Sequence, residues 1–341
     1  MKYLMNSSAL IRLSFLLYLL LFLISCEGKS QQIKIGDFAK YFALSSPTNE
    51  LVEAMEDHGF ERVRIMYANR NIDTNLDGNF EKETFLNKLF EVFPDKESAG
   101  ILVLDWERTG ARVLKKNSPK SKKFQQTLHE MVSLLQLVHQ SRPQVLVGYY
   151  GLPFRIRNGV NKNYVKRQNA LTPIFKSSDI IFPSIYNIRV NTNPSTRKKE
   201  YLYVKNTVEY SLKIAKKYNK YVIPFIWHRY HGSDPNKPLG LIPVEEFKNE
   251  CKKAKDAVYK GKTINGVVWW SNDYRSYLKK RRDRLAKSAK SAKSTMSTMS
   301  TMSTKDAKSV NEIPNDIQSN VQKYSRAINE IFDVQVDTTN N

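Results

Sequence analysis

The chain has 341 residues, 41% of them hydrophobic, enough apolar material for one large core or two ordinary ones, which excludes a wholly disordered protein. It carries 55 Lys and Arg against 33 Asp and Glu, a formal charge of +22, and the partners this favours are polyanions: nucleic acid, acidic lipid surfaces or acidic polysaccharide. The only cysteines are Cys26 and Cys251, and the five histidines lack metal-ligand spacing, so neither a disulfide scaffold nor a Cys-based zinc module is available and no metal or organic cofactor is expected.

Residues 1–25 contain Lys2 and Arg12 and then an almost unbroken apolar run from Leu13 to Ile24. About a dozen positions are too few for a spanning helix, which needs roughly 20, so the run reads as the core of an export signal. It ends in Leu23-Ile24-Ser25-Cys26, which resembles the bacterial lipobox. That likeness implies acylation of Cys26 and an exported protein held on the cell-envelope membrane by its lipid, with ordinary secretion as the alternative.

From 27 to 278 short apolar runs alternate with longer amphipathic ones. Strands are expected at Val63–Tyr67, Gly100–Leu104, Val145–Tyr149, Asp179–Ile185, Tyr221–Ile226 and Gly266–Trp270, with a weaker one near Ile33–Phe42. Helices are expected at Phe124–Gln140, Tyr201–Tyr218 and Val244–Val258. Nearly every strand ends in polar or aromatic residues, as in Asp105-Trp106-Glu107, Tyr149-Tyr150-Gly151, Tyr186-Asn187, Trp227-His228 and Trp270-Ser271. In a barrel such ends meet at one mouth, whereas an open sheet keeps only a few of them together. No GxGxxG or GxxxxGKS motif follows a strand to cradle a nucleotide phosphate. The expected fold is an α/β TIM-like barrel, distorted, with seven or eight strands. Beyond it, 279–310 reads as a basic and Ser/Thr/Met low-complexity linker, its three-residue repetition arguing against an amphipathic helix. Residues 311–341 form either a docking helix, with Ile317, Val321, Tyr324, Ile328 and Ile331 near one face, or a disordered tail. Most of the positive charge lies on 27–278 and not on these ends.

The informative segment is Gly100-Ile-Leu-Val-Leu-Asp105-Trp106-Glu107. Alternate side chains on a strand share a face, so Asp105 and Glu107 point together with their Cβ atoms roughly 6 to 7 Å apart, and Trp106 points away. Two carboxyl groups in a partly closed site do not both ionise cheaply, so one keeps its proton near neutral pH. Acids on one strand do not easily straddle a sugar; they suit substrate-assisted glycoside cleavage, in which a 2-acetamido carbonyl attacks its own anomeric carbon. Glu107 is then the proton donor, and Asp105 orients the acetamido group and raises the pKa of Glu107. The plain alternative is that both acids pair with Arg108 or Arg112 at a loop start.

These residues resemble the hyaluronidases, glycoside hydrolase family 56. The blocks that carry the likeness are Gly100–Glu107, Gly148-Tyr-Tyr-Gly-Leu-Pro153, Phe182-Pro-Ser-Ile-Tyr186, Val222-Ile-Pro-Phe225 with Tyr230, and Gly266-Val-Val-Trp-Trp270, in order over roughly 60–278. The resemblance implies a distorted α/β barrel that hydrolyses an N-acetylhexosaminidic bond in a glycosaminoglycan, hyaluronan or chondroitin. It also implies Glu107 as proton donor with Asp105 as acidic partner, Tyr150, Tyr186 and Trp270 around the acetamido group, and Tyr230 in the substrate groove. The family's Trp-Arg-Pro after the catalytic Glu is replaced here by Arg108-Thr-Gly-Ala-Arg112, its disulfides have no counterpart, and its loop after the second tyrosine strand becomes Phe154-Arg-Ile-Arg-Asn158. A competing function is a catalytically inactive carbohydrate-binding surface lipoprotein.

Other features have plainer readings. Asp73-Thr-Asn75-Leu-Asp77-Gly78 looks like the start of a calcium loop, but its twelfth position is Thr84 and not a bidentate Glu, so a polar turn is expected. His228 and His231 sit near the proposed mouth, where groove contact or solvent exposure is expected before metal ligation, and Cys251 reads as a small buried apolar residue. Only one of Trp269 and Trp270 can face inward. Arg155, Arg157, Lys162, Lys166 and Arg167 either line a groove for an acidic polymer or form a solvated loop. An acidic polysaccharide is the expected partner and nucleic acid is not, since no nucleic-acid-binding module is visible. Nothing in the sequence fixes an oligomeric state.

Overall fold

The computed structural model describes residues 35, 38–157, 159–189, 193–234, 236–295 and 313–333. Seven parallel strands close into a ring. They are β1 (Ala39–Leu44), β2 (Glu61–Arg62 and, past Val63, Arg64–Tyr67), β3 (Gly100–Asp105), β4 (Val145–Tyr149), β5 (Ile180–Ile181), β6 (Tyr221–Val222 and Phe225–Ile226) and β7 (Gly266–Ser271). Strand β2 pairs with β1 and β3, β3 with β4, β5 with β6, and β7 with both β6 and β1. The β4–β5 seam is closed by the Tyr150–Phe182 bridge and by 2.8 Å hydrogen bonds from Asp179 N to Val147 O and from Gly151 N to Phe182 O. A Ser184–Phe225 bridge prolongs the β5–β6 pairing. The fold is the expected TIM-like barrel, distorted where β5 and β6 are reduced to short pairs.

Strand alternation sorts the side chains into two layers. Leu102, Leu104 and Trp106 of β3, Val147 and Tyr149 of β4, and Val267 and Trp269 of β7 join the apolar shell between strands and helices. That shell includes one face of α4 (Lys122–Ser141), where Phe124, Leu128, Met131, Leu135 and Val138 recur at helical spacing behind the Ser121 N-cap. Tyr149 adds a hydrogen bond from its hydroxyl to Met131 O at 2.9 Å. The alternate residues Val103, Phe182, Phe225 and Val268 are equally buried and fill the inside of the ring. The Cys251 thiol is fully buried on α8 (Val244–Lys255), a packing residue as expected.

The C-terminal segment forms helix α10 (Asn315–Phe332), whose Ile317, Val321, Tyr324 and Ile328 are buried against the barrel, with Ile331 partly so. Tyr324 donates its hydroxyl hydrogen bond to Ile242 O. Residues 279–295, read from sequence as linker, instead continue helix α9 (Asp273–Thr295). The Ala-Lys-Ser repeats give it no apolar stripe, but Ala, Lys, Arg and Leu favour helix without one, so local propensity overrides the missing period. The Ser-Thr-Met triplets lie outside the described residues, as do residues 1–26. Among the described residues no helix is long and apolar enough to cross a membrane.

Closure of the ring depends on a missing side chain at 148. A Cβ there would stand 2.0 Å from Ile180 O, so β4 reaches β5 only because residue 148 is glycine. Gly148→Ala is expected to lower stability by at least about 1–3 kcal/mol, read as a lower urea midpoint at unchanged slope. An unchanged midpoint would show that the seam yields freely.

Candidate active site

Strand β3 delivers Asp105 at its last position, and a wide turn, Glu107–Ala111, begins immediately after it. Both carboxyl groups line one cavity of about 270 Å³ at the C-terminal mouth of the ring, where Asp105 is half-buried and Glu107 exposed. Trp106 points the other way and is buried in the outer shell, as alternation demands. Among the described residues no basic group lies within ion-pair distance of either acid, so the expected alternative of pairing with Arg108 or Arg112 is not what the structure contains.

Burial first, and the charge of Glu107 second, push the Asp105 carboxyl from 3.8 up to about 7. Asp105 therefore keeps part of its protonation at neutral pH. The physical reason is depth: the strand residue is the less hydrated of the two, so its ionisation is the more costly.

Aromatic rings build the rest of this cavity. Tyr186 on the β5 segment lies 5.8 Å from Trp270 of β7, nearly parallel at 20°, and 5.5 Å from Trp227. Trp227 meets Trp270 edge to face at 4.7 Å, and Tyr150 stands 5.9 Å from Tyr186 and 5.0 Å from Phe225. Such faces suit a sugar ring with its axial hydrogens turned outward. Burial keeps the Tyr150 and Tyr186 hydroxyls protonated, well above the ordinary tyrosine value for Tyr186, so both remain hydrogen-bond donors. Tyr150 donates to Ser184 Oγ at 3.0 Å, and Arg155 reaches the same oxygen at 2.6 Å with its guanidinium 5.6 Å from the Tyr186 ring.

A second cavity of about 210 Å³ shares Glu107, Tyr150 and His231 with the first and is lined by Arg112, Lys115, Arg155 and Arg157. Glu107 therefore stands where a ring-walled cavity joins a basic one. Of the basic run expected after β4, Arg155 and Arg157 face this groove, Lys162 and Lys166 are exposed on a helix, and Arg167 donates to Leu114 O and Asn117 O at 2.8 Å. Burial, then Arg155 and Arg157, lower His231 to about 4, so its imidazole is neutral at neutral pH. Ser233 N donates to His231 Nδ1 at 3.1 Å, which leaves the proton on Nε2.

Of the six residues proposed for catalysis and substrate binding, Asp105, Glu107, Tyr150, Tyr186 and Trp270 converge, whereas Tyr230 does not. Its ring is 1% exposed, and its hydroxyl donates to Glu246 Oε2 at 3.0 Å on α8, outside the ring. The neighbouring His231 occupies the groove. His228 is likewise turned outward and buried, taking a 3.0 Å bond from Trp269 Nε1 at Nδ1 and donating from Nε2 to Asp273 at 3.1 Å. Leu239 and Lys115 also line the site, though no motif in the sequence marks them, as does Ser184 from the Phe182–Tyr186 block. Among the described residues no group of three or more His, Cys, Asp or Glu is placed to hold a metal ion. Cys26 lies outside the described residues.

The family model described as hyaluronidase matches residues 110–237, from the turn after the acid pair to the loop past β6. Over that stretch the chain is similar to the hyaluronidase family. The crystal structure of bee venom hyaluronidase superposes with a TM-score of 0.53 at 17% identity, covering 71% of this chain and 97% of that one. The bee venom enzyme in complex with a hyaluronic acid tetramer gives 0.54 at 17% identity, with 70% and 96% covered. At this identity the likeness to the bee structures is one of fold. No curated protein sequence matches the chain.

The raised pKa of Asp105 couples stability to pH. A carboxyl whose folded pKa is raised contributes most below its unfolded value near 3.8, and the contribution is lost as pH rises through about 7. Asp105→Asn is therefore expected to match wild type in denaturation midpoint near pH 4 and to exceed it at pH 7.5. The gain is at most about 4 kcal/mol, less where water reaches the carboxyl. Equal midpoints at both pH values would mean that Asp105 ionises normally.

Proposed function

We propose that the protein is a glycoside hydrolase that cleaves an N-acetylhexosaminidic bond in a glycosaminoglycan, hyaluronan or chondroitin, by substrate-assisted retention. The observation that carries this reading is the place of Glu107, beside a carboxyl whose pKa burial raises to about 7 and at the junction of the ring-walled and basic cavities. The hyaluronidase family match and the hyaluronic acid tetramer held by the bee venom relative support the substrate class.

An N-acetylhexosamine enters the cavity of Tyr150, Tyr186, Trp227 and Trp270, its ring face on the aromatics and its acetamido group toward Asp105. The neighbouring sugar lies in the basic half, where Arg112, Lys115, Arg155 and Arg157 meet its carboxylate. Substrate covers Glu107 and expels its water, which shifts the pair's one proton from Asp105 toward Glu107. The acetamido oxygen then attacks C1 as the C1–O glycosidic bond breaks, and Glu107 passes its proton to the departing oxygen. Asp105, now ionised, accepts the acetamido N–H and stabilises the positive charge that develops on the oxazolinium ring. Water next attacks C1 and gives a proton back to Glu107, so configuration is retained and no metal or organic cofactor takes part.

The test is release of reducing ends from hyaluronan and chondroitin. Wild type is expected to release them, and Glu107→Gln to lose about 10²–10⁴-fold in kcat while still binding the polymer. Binding without release by wild type would turn the assignment to the silent carbohydrate-binding protein.

We also propose export and acylation at Cys26, which the lipobox-like Leu23-Ile24-Ser25-Cys26 supports. When expressed in a bacterium, wild type is expected in the membrane fraction with incorporated labelled palmitate, and Cys26→Ser without label. Label on neither protein would point to ordinary secretion.

A further inference from the structure

The residues that flank Glu107 are bonded to a part of the chain outside the cavity. Asp73 follows a wide turn, Ala68–Ile72, after β2 and is 0% exposed. Its carboxylate takes four donors: Asp77 N–H at 2.9 Å, Gly78 N–H at 3.1 Å, the Trp106 indole N–H at 3.2 Å and the Thr109 hydroxyl. The first two make the polar turn that its sequence suggests. The other two come from residues on either side of Glu107.

Trp106 and Thr109 are themselves joined, the indole N–H reaching Thr109 Oγ at 2.8 Å. Ala111 N donates to Trp106 O at 2.8 Å and closes the turn. Gly110 lies directly on the indole, where a Cβ would come within 2.8 Å of Trp106 Cγ. The indole is therefore fixed at its nitrogen by Asp73 and Thr109 and covered on its face by Gly110, and the turn that begins with Glu107 wraps around it. A buried carboxylate accepting an N–H and an O–H makes charge-assisted bonds, stronger than a neutral acceptor would give. A turn stabilised for its own sake would need only the Asp77 and Gly78 bonds.

We propose that Asp73 is a positioning residue: through Trp106 and Thr109 its carboxylate sets the direction of Glu107 into the junction of the two cavities. The inference rests on Glu107 being the proton donor, and the experiment separates its failure from the failure of that assignment.

Asp73→Asn keeps the shape but presents an amide N–H₂ where a donor now finds an acceptor, and Thr109→Val removes a donor at a partly exposed position. Each is expected to lower kcat on hyaluronan by about 10²-fold or less while KM stays within about 2-fold. The effects of Asp73→Asn and Thr109→Val should not multiply in the double variant, since both break the same clamp. Unchanged kcat in both, or a KM that rises as kcat falls, would overturn the proposal. If wild type turns nothing over, the hydrolase assignment fails, and the clamp is read directly from the indole N–H resonance of Trp106, identified by its loss in Trp106→Phe, and from amide exchange at 107–111. Asp73→Asn should shift that resonance and speed that exchange; a resonance and exchange like those of wild type would overturn the clamp whatever the activity.

Discussion

A desolvated Asp105 beside an exposed Glu107 is the feature on which the rest of the site depends. Burial within the ring of strands raises the Asp105 carboxyl to about 7, so that part of it is protonated at neutral pH, whereas Glu107 begins a turn beyond the strand and is exposed. Had both acids been on the strand, both would have been desolvated and the fold would have carried the cost twice. Had both been on the turn, water would have screened each from the other and no proton would be kept. The boundary between strand and turn, falling between 105 and 107, makes the two unequal, and an unequal pair is what acid catalysis at neutral pH requires.

Much of this was legible from residue alternation alone. The period of two put Asp105 and Glu107 on one face with Trp106 on the other, and it allowed only one of Trp269 and Trp270 to face inward. In the structure Trp270 lines the cavity and Trp269 packs against Phe60 in the outer shell. The same rule, carried beyond the strand, holds only as far as His228. Phe225 and Trp227 line the cavity while Ile226, His228 and Tyr230 turn outward; the alternation lapses at Arg229, which joins His228 at Asp273, and His231 returns to the cavity. Tyr230 is expected in the groove from the family resemblance alone, and His231 takes that place in the structure.

Other features were not legible because they depend on depth or on distant partners. How far the Asp105 carboxyl is withdrawn from water is a matter of burial, and two acids a residue apart look equivalent in sequence. The Asp73 segment has the composition of a cation loop, yet its carboxylate is satisfied by four hydrogen bonds, two of them from residues 106 and 109, over thirty positions downstream. The basic run after β4 divides three ways, into groove, helix surface and tether, because the chain changes direction within it and so its side chains lose a common face.

The outer face of β6 and β7 shows how the aromatic cavity keeps its shape. Asp273, the first residue of α9, takes two 2.7 Å bonds from Arg229 and one from His228, and Trp269 donates to the far nitrogen of that imidazole. Arg229 and His228 hold the Asp273 carboxyl well below the usual carboxylate range, so the cluster is charged and fully bonded, and Tyr324 of α10 covers His228 with ring centroids 4.8 Å apart. The residues tied together in this way, His228 and Trp269, are the immediate neighbours of Trp227 and Trp270. Since consecutive side chains on a strand share one backbone, fixing the outward member fixes the inward one. The rings that would receive a sugar are thus held from behind by a buried ionic network, and the C-terminal helix, which contributes no atom to the cavity, belongs to the structure that supports it.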